Sequence, residues 1–181
     1  MATVYIQPGT GTGSGTLDDP YYFDELSTAH TSAGEQGKII FLDGDYILVN
    51  DTTIFKGSTY EAKNSGKAII KSSSLSSLKY ITIGDVSDNY AVSKFKGLSF
   101  EDVGSPVWNN RAIHIGSAVD QFHEFDSCTF KLYAVDYGFL GPSVSNQPPE
   151  FSTKFTGCVF DLIRHEGGTS DGTAPYFYSH S

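Results

Sequence analysis

The sequence predicts an all-β chain wound as a solenoid, with one short helix near its start. Three observations carry that expectation. Phe95-Lys-Gly-Leu-Ser-Phe100, Phe125-Asp-Ser-Cys-Thr-Phe130 and Phe155-Thr-Gly-Cys-Val-Phe160 share the pattern F-x-[GS]-[LC]-x-F, starting at 95, 125 and 155, a step of 30 residues. A fixed step with aromatic ends marks stacked repeats. Within each copy the apolar residues alternate: Leu98 and Phe100 flank Ser99, Cys128 and Phe130 flank Thr129, Cys158 and Phe160 flank Val159. That period of two is the strand signature. Finally, Glu101, Lys131 and Asp161 share one repeat position and alternate in sign. Opposite charges directly across a strand pair stabilise by a few tenths of a kcal/mol, whereas like charges repel. Copies lying side by side and parallel, about 4.8 Å apart, place Leu98, Cys128 and Cys158 in one interior column and Phe100, Phe130 and Phe160 in another.

From the N-terminus, residues 3–7 read as a short strand. Residues 8–20 form a glycine-rich loop with G-x-G-x-G spacing. No lysine follows and no acidic ribose partner is evident, so the loop reads as a flexible closure of the solenoid end rather than a phosphate cradle. Residues 21–33 read as a helix with Phe23, Leu26 and Ala29 on one face and His30 exposed, stopped by Gly34 and Gly37. Lys38 to Leu48 reads as strand, Asp-Gly corner at 43–44, and strand. Further strands are expected at 53–55, 67–71 and 79–84, then in the three phased copies. Loops at 104–111 and 141–150 interrupt the phase, and loops are where repeat proteins carry function. The whole is one domain: 1–37 holds the first strand, glycine-rich loop and capping helix, and 38–181 holds the turns of the solenoid.

With Gly15-Thr-Leu-Asp-Asp-Pro20, the helix after it, Gly37-Lys-Ile-Ile-Phe-Leu-Asp-Gly-Asp-Tyr46 and Phe95-Lys-Gly-Leu-Ser-Phe100 in hand, the chain resembles the right-handed parallel β-helix proteins of the pectate-lyase-like superfamily. The resemblance spans essentially the whole chain. It implies a right-handed parallel β-helix with coils of about 30 residues and a short N-terminal capping helix. It is specific for fold and not for activity, because that group includes lyases, hydrolases, phage tailspikes and virion proteins. The carboxylate groupings of its enzymes do not carry over. Asp43 and Asp45 sit at a corner, Glu101 and Asp102 are consecutive and face opposite ways, Asp161 stacks with Lys131, and Asp85 and Asp88 lie in a polar turn.

The formal net charge of −9 argues against nucleic acid and anionic membrane surfaces as partners. It also opposes a polyanionic glycan without a bridging cation. The start lacks a basic and an apolar signal region, so the expectation is assembly in a host cytoplasm and residence in a virion. No run approaches a membrane span. The two cysteines, Cys128 and Cys158, read as buried free thiols, because an in-register parallel ladder gives poor disulfide geometry. Neither a metal nor another cofactor is expected.

Two groups stand out as binding candidates. Trp108, Asn109, Asn110, Arg111 and His114 cluster around one loop. There an indole face can stack on a sugar while amides and guanidinium bond its hydroxyls. The same cluster equally fits a contact with another subunit, or packing over a coil edge. Tyr176, Phe177 and Tyr178 form an aromatic tail suited to assembly. Arg164, His165 and Glu166 read as an exposed charged loop, and His123 and His180 suggest no site. A β-helix exposes apolar interior and unpaired backbone at each end. The helix covers the first end, and association is one way to cover the other. The expected function is a non-catalytic structural or adhesion protein, a capsid decoration protein or short spike, contacting capsid or tail proteins or further copies of itself. A carbohydrate-binding module and a polysaccharide lyase or hydrolase are the alternatives.

Overall fold

A computed structural model of the chain describes residues 2–48, 52–55, 57–72, 80–83, 92–101, 111–115, 122–134, 137–140 and 152–164. Strand β1 (Thr3–Gln7) buries Val4 and Ile6. The helix begins later than the sequence suggests. Tyr21–Tyr22 form a two-residue strand, β2, parallel to Ile6 and Gln7. Phe23–Glu25 make a 3-10 turn, and only Leu26–Ala33 are α-helical (α1). Consecutive tyrosines favour extended backbone, and a Glu25 carboxylate oxygen 3.1 Å from the Tyr22 N–H closes the turn behind them. The expected apolar face is real: Phe23, Leu26 and Ala29 are buried, with Ala33. His30 differs from expectation. It is half-buried, with Nε2 2.8 Å from the Tyr60 hydroxyl.

The remaining strands are β3 (Lys38–Phe41), β4 (Gly44–Leu48), β5 (Thr52–Phe55), β6 (Thr59–Ala62), β7 (Ala68–Ser72), β8 (Tyr80–Ile83), β9 (Val92–Lys96), β10 (Ser99–Glu101), β11 (Arg111–Ile115), β12 (Phe122–Asp126), β13 (Thr129–Ala134), β14 (Tyr137–Leu140), β15 (Ser152–Thr156) and β16 (Val159–Arg164). They form three parallel sheets, ordered β15-β12-β9-β6-β3-β1-β2, β16-β13-β10-β7-β4 and β14-β11-β8-β5. From β3 onward each sheet takes every third strand. Among the described residues the chain is therefore all-β and parallel, with one short α-helix, as its sequence suggests.

Each F-x-[GS]-[LC]-x-F copy is two strands around a corner, not one strand. Phe95, Phe125 and Phe155 align across β9, β12 and β15, while Phe100, Phe130 and Phe160 align across β10, β13 and β16. Between them the backbone turns at Gly97 (φ 65°), Ser127 (φ 55°) and Gly157 (φ 61°). This left-handed conformation explains the glycine or serine of the pattern. The aromatic columns stack closely. Ring centroids are 4.7 Å apart for Phe95–Phe125, 5.1 Å for Phe125–Phe155, 5.2 Å for Phe100–Phe130 and 5.0 Å for Phe130–Phe160. Leu98 and Cys128 are buried as expected. Cys158 is only half-buried and Phe160 is 37% exposed, because both belong to the last copy. Both cysteines are free thiols.

At the other end Tyr46 ties the first strands together. Its hydroxyl lies 2.9 Å from the Ile6 carbonyl and 2.7 Å from that of Leu42, and burial raises its pKa above the usual phenol range.

Candidate functional site

The outward rows of the sheets set carboxylates beside lysines. Glu101, Lys131 and Asp161 are in register, as their sequence positions suggest. The row continues upstream through Lys71, whose Nζ is 2.7 Å from Asp45 and 4.0 Å from Glu101. The hydrogen bond to Asp45 raises the Lys71 pKa. On the neighbouring sheet Glu61 lies 2.7 Å from Lys38 and 3.7 Å from Lys96. The Lys38 hydrogen bond holds its carboxyl below the usual range. Lys94 reaches Glu124 at 3.0 Å, and Lys154 stands beside Glu124 in register. Both carboxylate oxygens of Asp43 accept from the Asn64 amide at 3.1 Å. These carboxylates act as ladder partners and corner braces. A general acid would need one held neutral, and Glu61 is shifted the other way.

The glycine-rich loop is held, not loose. Its amides meet the chain's own acids: Gly11 N–H to Asp24 (3.3 Å), Gly13 N–H to Glu25 (3.0 Å) and Ser14 N–H to Asp19 (3.0 Å). A side chain at Gly13 would strike the Pro20 carbonyl, and one at Gly15 (φ 79°) the Tyr21 ring. The G-x-G-x-G spacing thus allows close backbone packing, and the chain's own acids take these amides.

Of the predicted binding cluster, Arg111 and His114 lie on β11, Arg111 in register with Tyr137 and His114 with Leu140 and Thr82. Trp108, Asn109 and Asn110 lie outside the described residues, as do Tyr176, Phe177 and Tyr178. His123 is buried in β12 between Ser93 and Thr153 in the neighbouring strands, and burial lowers its pKa to about 4.

A surface that residue type does not advertise is the edge made by β15 and β16. Both strands end their sheets' orders among the described residues. Val159 is 58% exposed there, beside the 37% exposed Phe160. The sequence does hold a signal for it: 155–160 is the last copy of the repeat, so its aromatic column has no successor in the pattern. No family model, curated protein or solved structure matches the chain.

Proposed function

We propose that the three sheets are the faces of a right-handed parallel β-helix, and that the protein is a non-catalytic structural or adhesion component of a virion. It acts through protein–protein contacts, as a capsid decoration protein or short spike does. The every-third-strand order supports the winding. Right-handedness follows from the rule that parallel crossovers take that hand in about 98% of cases.

One observation carries the functional reading. The first strands are covered by α1, which buries Leu26, Ala29 and Ala33, while the last strands leave Val159 and Phe160 in solvent. β15 and β16 end their sheets' orders among the described residues, and apolar side chains at such an edge favour pairing with another chain. The flanking rows, with charges that alternate in sign, fit a stiff scaffold. The virion setting rests on the resemblance of the sequence to β-helix virion proteins.

The test is a panel of neutral and acidic polysaccharides, read for unsaturated and reducing ends, with a glycan array run on wild type and Trp108→Ala. The structural reading predicts no release of ends and no binding that depends on Trp108. Release, or binding lost in Trp108→Ala, contradicts it and favours the lyase or carbohydrate-binding alternatives.

A further inference from the structure

The exposed edge has an internal symmetry that names its occupant. Lys154 and Asp161 lie equally far in sequence from the Gly157–Cys158 corner, and so do Phe155 and Phe160, and Thr156 and Val159. A two-fold axis through that corner lays β15 of one copy antiparallel to β16 of the other, twice over. Antiparallel partners point to the same face of a sheet. The opposed pairs obey this: Phe155 and Phe160 belong to the inward aromatic columns, and Lys154 and Asp161 to outward charged rows. Each copy then sets Lys154 against the partner's Asp161, and Phe155 against the partner's Phe160. Opposite charges meet at both sites, and Thr156 lies against the partner's Val159 on the outward face.

We infer that the β15–β16 edge is an isologous interface at which a second copy of this chain docks head to head. The inference rests on the association reading above and specifies its partner. It follows from charge complementarity and from the place of β15 and β16 at the ends of their sheets' orders among the described residues, and closed two-fold pairing is the commonest symmetry of self-association.

The experiment is molar mass by light scattering over a concentration series, on the full chain as wild type, K154D, D161K and the double variant. Wild type is expected as a dimer. Each single reversal sets like charges across both symmetric contacts and should raise the dimer dissociation constant about tenfold or more. The double variant should recover the dimer. Within one chain it is worse than either single change, because it sets an aspartate beside Glu124 and a lysine beside Lys131. Recovery can therefore come only from the partner. Circular dichroism on all four establishes that they fold. A monomer at every concentration overturns the inference and is expected if another segment or another protein covers this edge. An oligomer indifferent to the single reversals also overturns it while leaving the association reading in place. That broader reading fails separately, by polysaccharide turnover or Trp108-dependent glycan binding.

Discussion

At Gly97, Ser127 and Gly157 the backbone turns through the left-handed region to carry the chain from one sheet to the next. A side chain there costs about 1–2 kcal/mol. At Gly97 it also meets Ser65 at 3.0–3.2 Å, whereas at Gly157 the nearest atom is 3.6 Å away. Gly97→Ala should therefore lower the urea midpoint more than Gly157→Ala, and equal effects would sink the steric account. The two thiols differ for a related reason. Cys128 is buried, and burial pushes its pKa up to about 12, while Cys158 in the last copy is half-buried. Iodoacetamide on the native protein should modify Cys158 well before Cys128, as read by mass spectrometry. His123 gives the pH dependence. Its folded pKa is depressed to about 4 by burial, so below the unfolded value near 6.5 the unfolded chain binds more protons. Its contribution is fully present above about pH 6.5 and falls away toward pH 4, by of order 3 kcal/mol. Replacing His123 with threonine, the residue in register on β15, should flatten the unfolding free energy over that window. An unchanged slope would remove His123 as the cause.

Among the elements, the aromatic columns hold the sheets together, and depth within the stack sets each ring's worth. Phe130 is buried between Phe100 and Phe160, while Phe160 itself is 37% exposed. Phe130→Ala should cost about 3–5 kcal/mol, measured by chemical denaturation. Phe160→Ala should cost clearly less, and similar costs would contradict the stacking account. Legibility in the sequence has a similar physical basis. β3, β4, β7 and β8 can be read because their runs are aliphatic. β6 (Thr59-Tyr-Glu-Ala62) has no aliphatic run and gives no strand signal, although Tyr60 is among the most buried side chains. β11 and β14 are not read as strands from the sequence, where only Arg111 is placed, at the end of a loop; pairing with their neighbours marks them. The helix reads five residues too long because Phe23, spaced with Leu26 and Ala29 like a helical face, lies in the 3-10 turn before it.

At the scale of the molecule, the 30-residue step is legible because three consecutive copies of the pattern keep it. Earlier strand pairs do not: Tyr46 pairs with Ile70, and Lys38 with Thr59. Pairing partners at uneven spacing cannot be found by counting, so the first half of the chain is reached only through individual strands. The alternating charges of Glu101, Lys131 and Asp161 give the register correctly, because a ladder that repels itself would not stay in line. The candidate site is less legible. Trp108 and the aromatic tail attract attention by residue type, whereas the β15–β16 edge is distinguished only by ending its sheets' orders among the described residues. Its sequence, Lys154 to Asp161, matches the buried copies in pattern and differs only in having no further copy beyond.

If this edge is where the molecule meets its own kind, the association must stop at two copies. Sedimentation equilibrium of the wild-type chain, from the lowest detectable concentration upward, decides the matter. A monomer–dimer equilibrium that closes at dimer is the expected result. A mass fixed at that of one chain throughout would contradict it.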